Sequence, residues 1–198
     1  TEIQELLVDS YITSKNFAGA MELLEKNKSY ASKATYQKVA FYRGVELFLA
    51  TDYLEAITAF EKSLNNAEDG HFKARASFWK AESEYNSNKF KEALISFVQF
   101  QQNPSAKTTP EYDDLAYNLA YTYFKLKDYT NAASYFNTFT SNNPEDDKKH
   151  DAYLRLGDSY FVSSKYWPAI EAYNKALEGN GSEKDYAAFQ KALSYGFV

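Results

Sequence analysis

The residues that could do chemistry are few and poorly placed for it. The chain of 198 residues has two histidines, His71 and His150. Neither lies in an H-x-x-x-H spacing or beside a trio of carboxylates, so the donor set a zinc ion needs is missing. There is no cysteine, which removes thiol nucleophiles, disulfide scaffolds and Cys-based metal sites. No glycine-rich phosphate cradle and no G-x-S-x-G elbow occurs. The carboxylate runs Asp113-Asp114 and Glu145-Asp146-Asp147 could pair a general acid with a general base. Each stands where a helix is predicted to begin, and there the helix dipole already accounts for negative charge. Lys148-Lys149-His150 follows three acids and is too short for a nucleic-acid patch; the net charge of −5 leaves no basic footprint elsewhere. No apolar run nears the roughly 20 residues of a membrane span, and the mean hydropathy is −0.59. The residues therefore predict no catalysis, no metal, no cofactor, no nucleic acid and no direct membrane span. Function is expected in a surface.

That surface is built from an unusual composition. Tyrosine (18), phenylalanine (15) and tryptophan (2) make up 18% of the chain, against 7 glycines and 4 prolines. So many rings exclude a disordered tail, and so little turn material favours long helices over many short strands.

The rings recur in phase. An aromatic, an alanine and a large apolar residue at offsets 0, 3 and 7 occur as Phe17-Ala20-Leu24, Tyr53-Ala56-Phe60, Phe90-Ala93-Phe97, Tyr129-Ala132-Phe136 and Tyr166-Ala169-Tyr173. The intervals are 36, 37, 39 and 37 residues, and the offsets place each trio on one helical face. Nine residues before each first aromatic stands Val8, Gly44, Ala81, Ala120 or Gly157, and Ala192 holds the same place near the end. Three positions on comes Tyr11, Leu47, Glu84, Tyr123, Tyr160 or Tyr195; Glu84 breaks the apolar rule, and a small rotation would let Tyr85 replace it. Each unit is thus read as helix A, a short turn and helix B, with the small residues of A and B facing each other. Asn16, Asp52 and Asp128 are candidate N-caps, Pro168 suits a first helical turn, and Asn103-Pro104 and Asn143-Pro144 end their helices. The predicted helices are 2–14, 17–28, 35–50, 53–65, 71–86, 90–102, 110–126, 129–141, 147–163, 166–178 and 183–196.

The pattern resembles the tetratricopeptide repeat (TPR) family, most clearly in Leu156-Gly157-Asp158-Ser159-Tyr160 followed by Tyr166-Trp167-Pro168-Ala169-Ile170-Glu171-Ala172-Tyr173, and nearly as well in Leu119-Ala120-Tyr121-Thr122-Tyr123 with Tyr129-Thr130-Asn131-Ala132. Gln4, Arg43, Lys80 and Glu84 depart from it at usually apolar places. The resemblance implies an all-α, right-handed superhelical solenoid of antiparallel helix pairs. Its repeats are 1–34, 35–70, 71–109, 110–146, 147–182 and, as a lone helix A, 183–198. The apolar ending Leu193-Ser194-Tyr195-Gly196-Phe197-Val198 leads to the expectation that further repeats follow in a longer parent protein. The abrupt first helix allows others to precede.

In TPR proteins helix A lines a concave face that binds protein or peptide segments. Carried onto this chain, the fifth, ninth and twelfth places of each unit supply the groove candidates Phe41, Phe78, Tyr85, Tyr117, Tyr121, Phe124 and Asp158, with Tyr117 and Tyr121 one turn apart on one face. No copy carries the Lys and Asn clamp with which some family members hold a chaperone's C-terminal carboxylate. Aromatic surfaces also suit sugars, which makes a glycan-capture module through Trp79 or Trp167 the alternative; an enzyme with its site elsewhere is a second. The phrasing Ala152-Tyr153-Leu154-Arg155-Leu156-Gly157-Asp158-Ser159-Tyr160-Phe161 resembles envelope TPR proteins of Gram-negative bacteria, of the outer-membrane assembly lipoprotein and Tol–Pal accessory type. That implies a periplasmic or envelope scaffold, with the cytoplasm as the other location.

Overall fold

The structure, a computed structural model, describes residues 2–142, 148–178 and 183–198. Among the described residues eleven α-helices follow one another: α1 (Glu2–Thr13), α2 (Phe17–Lys26), α3 (Lys33–Leu49), α4 (Tyr53–Asn65), α5 (Gly70–Asn86), α6 (Phe90–Gln102), α7 (Leu115–Lys125), α8 (Tyr129–Asn142), α9 (Lys149–Val162), α10 (Tyr166–Leu177) and α11 (Lys184–Tyr195). Every first aromatic of the repeat is the first residue of its B helix, α2, α4, α6, α8 and α10. Asn143-Pro144 and Glu145-Asp146-Asp147 lie outside the described residues.

The turn between A and B is the same in all five copies. Lys15, Thr51, Asn88, Lys127 and Ser164, each two residues before the B helix, have φ between 57° and 63°. The following amide in each copy reaches back five residues: Asn16 to Tyr11, Asp52 to Leu47, Lys89 to Glu84, Asp128 to Tyr123 and Lys165 to Tyr160, at 2.8–3.0 Å. This is the left-handed C-cap with its 6→1 hydrogen bond, here built without glycine. It satisfies the last carbonyls of helix A and turns the chain into helix B. Asn16 caps as predicted, accepting from the Gly19 amide, and Asp128 accepts from the Asn131 amide. Asp52 makes no such cap bond.

Ala20, Ala56, Ala93, Ala132 and Ala169 are fully buried, as are the large residues at offset 7. The pairing across the hairpin differs from the sequence reading. Small does not face small; small faces large. A Cβ added to Gly44 would stand 2.5 Å from the Phe60 ring, and one on Gly157 would stand 2.5 Å from the Tyr173 ring. The A-helix glycine is the seat of the B-helix ring, and this close approach is what requires it.

Two departures from the repeat explain each other. Glu84 keeps its interhelical place with no rotation toward Tyr85, and it is buried. Its carboxylate accepts from Ser96 Oγ at 2.6 Å and pairs with Lys80 Nζ at 2.8 Å. Tyr123 and Tyr135 hold the equivalent two places one repeat on, stacked at 5.6 Å. The third repeat has replaced an apolar contact by a polar one, and Lys80 extends it to Glu61 of α4 at 3.6 Å. Buried Gln37 does a different job: its amide donates to the Asp69 carbonyl and accepts from the Glu68 and Asp69 amides, while Ser63 Oγ donates to its backbone carbonyl. One side chain thereby fastens the loop from α4 to α5.

The largest shift from the predicted helices is at α7, which starts at Leu115 instead of residue 110. Residues Ala106–Thr108 and Pro110–Tyr112 form two short 3₁₀ turns. Ala106, Thr109 and Glu111 are buried there, so the connection packs as a loop of its own. It marks a division of the chain into two compact units, Thr1–Tyr112 and Asp113–Val198. In the first, α1 to α6 pack each against its sequence neighbour, and α3 also touches α5. In the second, α7 to α11 do the same, and α9 also touches α11. Such nearest-neighbour packing is what a helical repeat array requires. Among the described residues no helix is long and apolar enough to cross a membrane.

Candidate functional site

Phe41 and Phe78 are not groove residues. Phe41 is fully buried with Ala56, Phe60 and Ala76, and Phe78 packs edge-on against Phe97 and Phe100 at 5.6 and 5.3 Å. The fifth place in these two repeats points into the hairpin core, so no partner reaches it. The twelfth place has a structural task in four copies. Phe48, Tyr85, Phe124 and Phe161 each lie edge-on against the first B aromatic five residues later, Tyr53, Phe90, Tyr129 and Tyr166, with centroids 5.3–5.6 Å apart. These pairs brace the A–B turn. Tyr85 and Phe124 are half-buried by this packing.

Tyr117, Tyr121 and Asp158 fall on one continuous polar line in the second unit. Tyr117 and Tyr121 sit a turn apart on α7, rings 4.9 Å apart, packed against Phe136. Both hydroxyls donate to the same carboxylate oxygen, Asp151 Oδ2 on α9, Tyr117 at 2.7 Å and Tyr121 closer still. Asp151 Oδ1 lies 3.7 Å from Arg155 Nε. Arg155 carries the line onward, with Nη1 donating to Asp158 Oδ2 at 3.2 Å and Nη2 to both carboxylate oxygens of Glu183 at 2.8 and 3.0 Å. Asp158 Oδ1 accepts from Tyr173 and Tyr186 at 3.0 and 3.1 Å, and Gln190 donates to Tyr186. At the other end Lys148 pairs with Asp114 and stands over the Tyr117 ring. Residues 151, 155 and 158 lie at offsets 0, 4 and 7, which puts them on one face of α9.

Burial and these partners shift the titrating groups. Burial, then the hydrogen bond to Asp151, raises the Tyr117 and Tyr121 hydroxyls far above the ordinary tyrosine range. Burial and the Asp158 charge do the same to Tyr173. Burial also lifts the Asp158 carboxyl above its usual value, against the lowering effect of the hydrogen bonds from Tyr173 and Arg155. At neutral pH the tyrosines are therefore donors. The arrangement offers aromatic faces beside hydrogen-bonding edges.

The first unit has a smaller polar cluster. Glu111 Oε1 accepts from Arg75 Nε at 2.7 Å and from Trp79 Nε1 at 2.9 Å, and the Arg75 guanidinium lies over the Phe41 ring. Trp79 is further held against Phe48 and Phe78, so its ring is structural. Trp167 is exposed, with Tyr195 edge-on at 6.2 Å. Asp151, Arg155 and Glu111 were not foreseen as site residues. The signal that could have found Asp151 and Arg155 is their spacing of four on an A helix, one repeat beyond the tyrosine pair.

Residues 113–146 match the tetratricopeptide repeat family, and they carry the Tyr117–Tyr121 pair. No curated protein matches the chain. Solved structures match along most of its length. YrrB, described as a TPR protein with an unusual peptide-binding site, is 19% identical over 91% of this chain and 82% of that one, with a TM-score of 0.69. MamA is 18% identical over 93% and 94%, with a TM-score of 0.67. MamA from Desulfovibrio magneticus RS-1 is 15% identical over 82% and 94%, with a TM-score of 0.64. These likenesses show the fold: stacked helix pairs of the tetratricopeptide type.

Proposed function

We propose that the chain is a non-catalytic interaction scaffold that binds a peptide or protein segment along the A-helix face of its second unit. One observation carries this reading. Tyr117 and Tyr121 converge on a single oxygen of Asp151, and Arg155 extends that contact to Asp158 and Glu183. Half-buried rings beside fixed hydrogen-bonding groups are the usual composition of an interface hot spot. The line holds more carboxylate than cation, with Asp114, Asp151, Asp158 and Glu183 set against Lys148 and Arg155. It therefore favours a segment rich in amide or basic donors. YrrB, a neighbour in fold, is described as binding a peptide, which supports the class of partner and not the site.

The test is capture of the partner by the wild-type chain and by two variants. Tyr117→Ala with Tyr121→Ala removes the rings, while Asp151→Asn keeps the shape and removes the charge. Loss of the same partner with both variants, each still folded by circular dichroism, is the expected result. Unchanged capture by either would overturn the assignment. An envelope location is a further proposal, supported by the resemblance of residues 152–161 alone, and fractionation of cells carrying the tagged parent protein tests it.

A further inference from the structure

The opposite face of α9 carries a second arrangement. Residues 153, 156 and 160 lie roughly 180° around the helix from 151, 155 and 158. Tyr153, Leu156 and Tyr160 line one side of an open groove of about 660 Å³, and Pro168, Glu171, Asn174, Lys175 and Glu178 of α10 and its C-terminus line the other, with Asn137 of α8 also in the lining. Tyr153 and Tyr160 are half-buried against the core of the second unit. Neither phenolic hydroxyl has a hydrogen-bond partner among the described residues, in contrast to Tyr117, Tyr121 and Tyr173.

The spacing of these rings is informative. Seven residues along a helix separate Tyr153 from Tyr160 by about 10.5 Å. A polyproline II helix advances about 9.3 Å in its three-residue turn. Prolines at i and i+3 of such a helix would each meet one tyrosine. A polyproline II backbone has no internal hydrogen bonds, so its carbonyls need donors, and the two free hydroxyls and the exposed Asn174 amide supply them. The rim fixes the charge of the occupant. Glu178 is paired with Lys175, whereas Glu171 is exposed and unpaired among the described residues. A rigid, extended ligand also loses little conformational entropy on docking.

We infer that this groove binds a proline-rich segment of the form Pro-x-x-Pro followed by a basic residue, with Tyr153 and Tyr160 seating the prolines and Glu171 pairing with the base. A fluorescein-labelled Pro-x-x-Pro-x-Arg peptide, titrated with the protein and followed by anisotropy, tests it. The peptide should bind at least about tenfold more tightly than its scrambled isomer. Glu171→Lys should weaken binding about tenfold, Asn174→Trp should fill the groove and abolish it, and Tyr153→Phe should weaken it by removing one donor. Glu92→Lys, the same charge reversal at an exposed position in the first turn of α6, should leave it unchanged. All four substitutions alter one side chain at or near the surface, and unchanged thermal midpoints will verify folding. Equal binding of the scrambled peptide, an absence of binding, wild-type affinity in Asn174→Trp, or equal weakening by Glu92→Lys would each overturn the inference.

Discussion

Replacing Gly157 by alanine tests the packing and the site together. In an ordinary helix interior the change is favourable by about 1 kcal/mol, because glycine carries the larger entropy cost. Here the new methyl would lie 2.5 Å from Tyr173 Cε1 and 2.6 Å from Cδ1, whereas carbon atoms rest about 3.5–4.0 Å apart. The fully buried ring must retreat by roughly 1 Å, and overpacking of this kind costs about 1–3 kcal/mol. The same retreat breaks the 3.0 Å hydrogen bond from Tyr173 to Asp158. A hydrogen bond to a charged group is worth about 1.5–3 kcal/mol. The net loss for Gly157→Ala is then about 1.5–5 kcal/mol. Gly44→Ala meets Phe60 at the same 2.5 Å, but Phe60 has no hydroxyl to lose. Its net cost is about 0–2 kcal/mol. Urea denaturation followed by circular dichroism measures both, and a Tyr173→Phe background isolates the hydroxyl. In that background Gly157→Ala should cost no more than Gly44→Ala. A rise in stability for Gly157→Ala, or equal losses for the two glycines in the wild-type background, would refute the reasoning.

Three further outcomes are expected. Thr51 is a β-branched residue in the left-handed region, so Thr51→Gly should raise the thermal midpoint by the equivalent of about 0.5–1 kcal/mol, while Asn88→Gly should do least because asparagine tolerates that conformation. Lys80→Met leaves Glu84 buried beside Ser96 alone and should cost about 3 kcal/mol, whereas Lys80→Met with Glu84→Leu should recover most of the loss in denaturant titrations. Tyr117, Tyr121 and Tyr173 keep their protons in the folded state at pH values where unfolded tyrosine ionises, near about 10. Their contribution is complete below that value and is lost as pH rises through their raised folded pKa values, so stability should fall on the alkaline side. Tyr121→Phe should flatten that fall, as measured by denaturation at a series of alkaline pH values; an unchanged slope would count against the buried hydroxyls.

The offsets of the repeat were legible because they are local. Ala56 and Phe60, or Ala132 and Phe136, stand four apart on one helix, and burial follows from that periodicity. The start of every B helix was legible for the same reason. What could not be read is which residue meets which across helices. The seat of Phe60 on Gly44 and of Tyr173 on Gly157 depends on the depth of the hairpin, which sequence spacing does not encode. Glu84 looked like a defect because its partner Ser96 lies on the other helix, and Lys80 looked like a second defect because it answers the first. Of the site, the Tyr117–Tyr121 pair was visible as an i, i+4 couple, yet its anchor Asp151 is 30 residues beyond Tyr121. Phe41 and Phe78 were misread for a related reason: a ring at a groove place and a ring at a core place share one spacing, and only the neighbouring helix decides between them.

Near-identical hairpins carry a hazard of their own, because any A helix offers much the same small and large residues to any B helix. Wrong pairings and exchange between copies are the failures typical of repeat chains. The Lys80–Glu84–Ser96 cluster is the feature that differs between hairpins. Set opposite the B helix of another repeat, Glu84 would meet Leu23, Ala59 or Ala172, which offer no hydroxyl, or the much larger Tyr135, in place of Ser96. The third hairpin thus carries a polar pairing that no other B helix of the chain could satisfy, and Lys80 ties it as well to Glu61 of α4.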